Sequence, residues 1–254
     1  MDLAEQAVVV TGAGSGMGKA TAYRLARRNA LVAALDIAAK PVLALAQELG
    51  GLGIECDVGS ESSVRTAIQR VVAEFGPPRV LVNCAGITAA QRISGRKGPH
   101  DLGLFQKVIR TNLVGTFNMM RLVAEEMKQL DPVGESGARG VMINTASVAA
   151  YEGQIGQAAY SASTGGVVAL TLPAARELAQ FGIRVVTVAP GLIGTPMLRA
   201  MPEEVQASLA NQVPFPRRLG SADEFAALVE HIIDNEMLNG EVIRLDGAIR
   251  LQSE

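Results

Sequence analysis

The sequence predicts a single α/β domain built on a doubly wound parallel sheet, and three observations carry that prediction. Short runs rich in valine, leucine, isoleucine and alanine alternate along the chain with longer segments of helical periodicity. The first such run, Ala7 to Val10, breaks at Thr11-Gly12 into a glycine-rich turn that leads straight into a helical pattern. The composition suits close-packed layers of helix and strand, with 27 glycines, no tryptophan and enough apolar residues (48%) in 254 positions for one good core.

The elements follow in order. Ala7 to Val10 reads as a buried strand, and the helix after it begins at Lys19, beyond the last glycine. Residues 31–36 form a second strand ending on Asp36, 41–49 a short helix, and 53–58 a third strand with a polar end. The stretch 60–75 is an amphipathic helix with Val64, Ala67, Ile68, Val71, Val72 and Phe75 on one face, stopped by Pro77-Pro78. Residues 79–83 are the fourth strand. An atypical polar insertion at 91–103 follows, carrying Arg92, Arg96, Lys97 and His100. It reads either as a solvated loop or as an electropositive rim for an anionic part of a substrate. The long helix predicted over 104–130 has Phe105, Val108, Ile109, Leu113, Val114, Phe117 and Met120 on its apolar side. A strand over 140–145, a helix over 158–180 and a strand over 182–189 come next. Residues 195–217, rich in methionine and broken by four prolines, suggest a lid over a partly apolar substrate or a packed excursion. Ser221 with Glu224 three residues on forms a capping box for a helix to Asp234, and 240–245 is the seventh strand.

Several residues stand out for chemistry. In Thr11-Gly12-x-x-x-Gly16-x-Gly18, glycines let the backbone approach a ligand, and the helix behind them offers unpaired N–H groups to a diphosphate. No Gly-Lys-Ser/Thr follows, which excludes a Walker phosphate loop. Asp36, 18 residues past Gly18, is placed to accept both hydroxyl protons of an adenosine ribose. Neither Ser15 nor Ile37 is basic, so nothing near it would neutralise a 2′-phosphate, and NAD is favoured over NADP. Asp57 could bond an adenine amino group or serve its own loop. Gly86, after the fourth strand, lets the chain pass close to a flat ligand. Asn112 falls in an apolar stripe, where an amide is costly unless bonded; it could hold a structural water or a catalytic side chain. Ser147 follows the fifth strand, at the end where open parallel sheets place their crevice.

Charge and cysteine content exclude other classes. The 23 basic and 25 acidic residues are interspersed and net to -2, so no polybasic surface argues for nucleic acid or an anionic membrane. Cys56 and Cys84 lie at the ends of apolar runs without metal-ligand spacing, and His100 and His231 lack ligand-like companions, so no catalytic metal is expected. Reduced thiols and the short acidic start Met1 to Gln6 point to a cytoplasmic protein, and no apolar run reaches membrane-spanning length.

The sequence resembles the short-chain dehydrogenase/reductase family over essentially its whole length. The resemblance is carried by the glycine motif, Asp57, Asn83-Cys84-Ala85-Gly86, Asn112, Ser147, Tyr160 and Pro190-Gly191. The stretches at 143–150, 156–163, 212–216 and 239–250 are similar, more narrowly, to the type 2 (short-chain) 3-hydroxyacyl-CoA dehydrogenases, also called 17β-hydroxysteroid dehydrogenases type 10. The resemblance implies a Rossmann-type domain with a seven-stranded parallel sheet, a homotetramer, and reversible hydride transfer between NAD and a secondary alcohol. The cofactor would lie against Gly12, Ser15, Gly16, Met17, Gly18, Asp36, Asp57, Val58, Asn83, Ala85, Gly86, Tyr160, Pro190, Gly191 and Ile193, with Thr195 on the nicotinamide carboxamide. Tyr160 would exchange a proton with the substrate oxygen, Ser147 would hydrogen-bond that oxygen, Asn112 would hold the water of a proton relay, and Gln157 would lie near the substrate.

One departure matters. Four residues after its tyrosine the family carries a lysine, one helical turn on, which bonds the nicotinamide ribose and lowers the tyrosine pKa; here the residue is Thr164. No Lys or Arg occurs between Arg139 and Arg176 to replace it. The leading expectation is a 3-hydroxyacyl-CoA dehydrogenase impaired by Thr164. Its rivals are a dehydrogenase of another secondary alcohol, steroid or aromatic, and a catalytically silent NAD-binding protein.

Overall fold

The strand runs are apolar almost without interruption because the sheet they build is covered on both faces. In the computed structural model, residues 1–96, 98–199 and 202–253 are described, with the side chains of Met197 and Arg199 left out. Seven strands pair in parallel throughout: β1 (Ala7–Thr11), β2 (Leu31–Asp36), β3 (Leu52–Glu55), β4 (Val80–Asn83), β5 (Gly140–Thr145), β6 (Ile183–Pro190) and β7 (Val242–Leu245). Their order is β3-β2-β1-β4-β5-β6-β7. The chain winds outward from β1 to β3, then returns to lay β4 on the other side of β1. That reversal opens a crevice at the carboxyl ends of β1 and β4.

Alternate residues of each strand feed two cores. On one face, Val8, Val10 and Val82 pack with Ala22 and Leu25 of α1 (Gly16–Ala26) and with Phe225 and Val229 of the last helix, Ala222–Asp234. On the other, Val9, Leu81 and Met142 pack with Val64 and Val71 of α3 (Glu61–Phe75) and with Met119, Val123 and Met127 from the long fourth helix. Between them in the chain, α2 (Ala39–Leu49) ends on Gly50 in the left-handed conformation at φ 64°. The capping box predicted at Ser221 and Glu224 is formed in full.

Three boundaries differ from the sequence expectations in ways that affect the site. Helix α1 starts at Gly16, not Lys19, so its first turn is made by the glycine motif itself. The third strand stops at Glu55, which leaves Cys56, Asp57 and Val58 in a loop over the crevice. The long helix, α4, runs over 102–127 as Leu102–Ile109, a π-helical turn Arg110–Val114 and Gly115–Met127. A π turn takes up an extra residue and rotates the face that follows. Val114 and Phe117, expected in the core stripe, are therefore exposed at 46% and 50%.

The insertion is not merely a polar loop. Ser94–Gly95 pairs with Gly98–Pro99 as a small antiparallel ladder, and Asp101 caps α4 by accepting from Gly103 N at 2.8 Å. Lys97, one of the basic residues expected on its rim, lies outside the described residues, as do Ala200 and Met201 of the expected lid. The rest of the lid stretch carries the short helix Pro196–Arg199 and then Glu203–Asn211. Helix α5 (Ala158–Leu178) supplies the remaining site element. No helix among the described residues is long and apolar enough to cross a membrane.

Candidate active site

The crevice is built by close approach of two strand ends. Thr11 Oγ1, at the end of β1, accepts hydrogen bonds from Cys84 N and Ala85 N at 3.1 Å each, stapling the glycine loop to the β4 end. Gly12 sits at φ +63°, and a Cβ there would lie 2.8 Å from Ala85 N and from Cys84 C and O. A Cβ on Gly18 would lie 2.3 Å from Gly12 O, so the first turn of α1 packs against the loop only if both residues are glycine. Ser15, the N-cap of α1, makes no side-chain cap bond, and the first-turn amides remain for an anion.

Asp36 ends β2 with both carboxylate oxygens committed to backbone: Oδ2 accepts from Gly14 N and Oδ1 from Ala38 N, each at 2.9 Å. It lines a cleft of about 480 Å³ together with Gly12, Ser15, Gly16, Met17 and Gly18, and with Asp57, Val58, Ala85 and Gly86. These residues fit NAD. A Cβ-free cradle at a helix N-terminus could receive a diphosphate, a fixed carboxylate could receive ribose hydroxyls, and Ile37 beside it is an exposed apolar residue with no charge for a 2′-phosphate.

Next to this cleft, sharing Met17, Cys84, Ala85, Gly86, Ile87 and Thr195 as wall, is a second cavity of about 250 Å³. Its other walls include Asn112, Ser147, Tyr160, Thr164, Pro190, Gly191 and Ile193. Ser147 follows β5, where its Oγ accepts from Ala149 N at 3.1 Å and caps the 3-10 turn Val148–Ala150. Tyr160 stands in the first turn of α5. Burial raises its phenol above the ordinary tyrosine pKa, a hydrogen bond with Ser147 opposes that rise, and no charged group contributes.

Thr164 occupies the next turn of α5 and is 3% exposed. Its hydroxyl donates back to Tyr160 O at 2.9 Å and to Ser161 O at 3.4 Å. It satisfies its own helix and brings no charge to the tyrosine.

Asn112 sits in the π turn of α4, and both its amide hydrogens are bonded within the protein. Nδ2 donates to Ile87 O at 2.8 Å and Ser163 Oγ at 3.0 Å, while Oδ1 accepts from Ile87 N at 2.8 Å. Ser163 Oγ in turn donates to Tyr160 O at 2.8 Å. With both amide hydrogens bonded inside the protein, the expected relay water would meet Asn112 at an acceptor atom, such as the second lone pair of Oδ1. Asn112 also ties the loop after β4 to the turn that carries Tyr160.

Two further expectations do not hold in the geometry. Asn83 is 3% exposed and donates from Nδ2 to Asn144 Oδ1 at 2.9 Å, on the core side of the sheet. Strand alternation puts its neighbour Cys84 on the cleft instead, as a half-buried residue whose thiol pKa desolvation pushes up to about 12. Gln157 does not line either cavity; its Oε1 is sealed away without a partner at the start of α5. Sequence reading also missed Ile87, Thr111 and Lys107 on the cleft wall. Thr111 lies in the π turn just before Asn112 and Lys107 in the α-helical stretch before that turn, and neither position is marked out in the sequence. Among the described residues, no group of three or more His, Cys, Asp or Glu side chains is placed to hold a metal.

Comparisons with known proteins agree with this geometry. The family profile described as short chain dehydrogenase matches residues 6–206. The human protein named 3-hydroxyacyl-CoA dehydrogenase type-2 is 55% identical over 248 residues, covering 96% of this chain and 95% of the relative. The Drosophila melanogaster protein of the same name is 50% identical over 247 residues, covering 96% of each. A crystal structure of 3-hydroxyacyl-CoA dehydrogenase type-2 from Mycobacterium avium superposes with a TM-score of 0.93 at 44% identity, covering 98% of this chain and 97% of that one. With its glycine cradle, its fixed Asp36 and its Ser147 and Tyr160 on one wall, the chain belongs to the short-chain dehydrogenase family.

Proposed function

We propose that this protein interconverts a 3-hydroxyacyl-CoA and its 3-keto form with NAD, and that Thr164 slows the oxidative direction at neutral pH. The observation that carries the reading is the placement of Ser147 and Tyr160 on a cavity that shares its wall with the dinucleotide cleft. The names of the relatives supply the substrate class. Bound NAD supplies the hydride acceptor or, reduced, the donor. Ser147 would hydrogen-bond the substrate oxygen; Tyr160 would take its proton as the alcohol becomes a ketone and return it in reduction. Asn112, through Ser163 and Ile87, would hold both sides of the cavity in register.

The test is reduction of acetoacetyl-CoA by NADH, because a neutral phenol is the competent state in that direction at pH 7. Turnover by the native chain is expected. Absence of turnover in both the native chain and a Thr164→Lys variant would end the proposal. A second reading, NAD binding without catalysis, is favoured by Thr164 alone; calorimetric binding of NAD with no turnover at any pH would establish it.

Cofactor preference should follow Asp36. A fixed carboxylate beside the ribose repels a 2′-phosphate, so NADH should bind on the order of 10²-fold tighter than NADPH. Asp36→Asn keeps an oxygen for Gly14 N and removes the charge, and should narrow the gap by about tenfold. Equal dissociation constants for the two cofactors in the native chain would contradict this assignment.

We also propose a homotetramer in a reducing compartment, the cytosol. Val114 and Phe117 on α4 and Leu172 on α5 are exposed at 46%, 50% and 44%, a set of apolar side chains on two neighbouring helices that a partner would cover. Cys56 and Cys84 are free thiols, in keeping with that compartment. Light scattering at micromolar concentration should give four times the chain mass of 26.5 kDa. A monomer mass would refute the assembly.

A further inference from the structure

The loop that follows β3 closes one end of the dinucleotide cleft, and α4 grips it through side chains whose purpose the catalytic reading does not explain. Arg110 Nε donates to Gly59 O at 3.0 Å, and Nη2 of the same guanidinium stands 3.5 Å from Asp57 Oδ2. The other carboxylate oxygen, Asp57 Oδ1, accepts from Gly59 N at 2.9 Å. Further along the helix, Asn118 Nδ2 donates to Val58 O at 2.9 Å and Arg121 pairs with Glu61 at 3.1 Å. Asn118 and Arg121 hold the loop; only Arg110 reaches the carboxylate that lines the cleft.

We propose that Arg110 is a positioning residue for recognition of the base at the far end of the cofactor. An aspartate in the loop beyond a strand, with its side chain 41% exposed, has free rotation unless something restrains it. Here the Gly59 amide restrains one oxygen and the guanidinium the other. A carboxylate so held is an acceptor only, and a remaining lone pair can meet an exocyclic N–H of adenine. The same carboxylate opposes the 6-oxo oxygen of hypoxanthine, where acceptor would face acceptor. Arg110 therefore contributes specificity for an aminopurine without touching the reacting atoms. It also opens the π turn that carries Asn112, so the base end of the cleft and the catalytic wall hang from one element. The proposal rests on the reading that the cleft holds NAD.

The experiment compares dissociation constants for NADH and for reduced nicotinamide hypoxanthine dinucleotide, measured by fluorescence titration without substrate. The native chain should prefer NADH by about tenfold, the worth of one hydrogen bond to a charged group. Arg110→Ala should bring the ratio to about two by weakening NADH alone, and Arg110→Lys, whose ammonium still reaches Asp57, should keep most of it. Arg121→Ala loosens the loop without touching Asp57 and should leave the ratio as in the native chain. If Arg110→Ala keeps the native ratio, or weakens both cofactors equally, or if Arg121→Ala collapses the ratio as well, the positioning role is wrong. If the native chain binds neither dinucleotide, the cofactor reading falls and takes this inference with it. That outcome is distinct from binding with an unchanged ratio.

Discussion

Replacing Thr164 with lysine is expected to raise kcat/KM for oxidation of a 3-hydroxyacyl-CoA at pH 7 by about 10³-fold. The oxidative step needs Tyr160 as a phenolate. A phenol at the ordinary pKa of about 10 is only about 10⁻³ ionised at pH 7. Burial moves Tyr160 above the ordinary value, and of the groups around it only Ser147 opposes that shift. The sign follows directly: for a group whose pKa is raised, the competent form is lost as pH falls. Native oxidation should climb about tenfold per pH unit from pH 7 toward 10. An ammonium one helical turn away would favour the phenolate and bring the rise toward neutrality, recovering a deficit worth about 4 kcal/mol at 1.4 kcal/mol per tenfold. The stem has space, since Thr164 already lines the cavity of about 250 Å³, and the only bonds lost are the hydroxyl's returns to Tyr160 O and Ser161 O. Profiles of kcat/KM against pH for both proteins decide the matter. If the native chain is as fast at pH 7 with the same midpoint, a cation reaches Tyr160 by another route and this account of the site is wrong.

The second large effect is expected from Tyr160→Phe. Loss of a positioned general base removes about 10²–10⁴-fold in rate. The diagnostic is the shape of the profile rather than the loss alone. At pH 10, where the native chain is fastest, the variant should show the greatest deficit, and its residual rate should no longer climb with pH. The fold should be indifferent to the change. Among the described residues the phenol's hydrogen-bond partner is Ser147, while the turn around it is held through the Tyr160 carbonyl by Ser163 and Thr164. Unchanged NADH affinity in the variant would confirm that the cavity is intact. A pH dependence that survives the substitution would assign the titration to another group.

Most of the framework was legible in the linear sequence because it is written in local rules. Unbroken runs of small and β-branched residues declare strands covered on both faces, and Thr11-Gly12-x-x-x-Gly16-x-Gly18 declares the cradle, since Gly12 and Gly18 have no space for a Cβ. Asp36 and Ser147 stand out by position relative to those elements, Tyr160 and the uncharged Thr164 through the family resemblance, and the fold brings the last three to one cavity. Non-local geometry decided the rest. Whether Asn83 or Cys84 faces the cleft depends on strand register: a one-residue choice sends one side chain to the Asn144 side of the sheet and the other to the crevice. The role of Asn112 depends on a π turn whose extra residue turns the amide toward Ile87 and Ser163, partners 25 and 51 positions away. The same turn exposes Val114 and Phe117 and sets Arg110 against Asp57. A heptad-like apolar pattern carries the helix but not the residue at which its hydrogen-bond ladder slips, because that slip is stabilised by contacts with other elements. The sequence alone thus determined the fold, the cofactor class and the threonine where the family carries lysine; tertiary packing determined which amide ties down the tyrosine's turn and which guanidinium faces the loop aspartate.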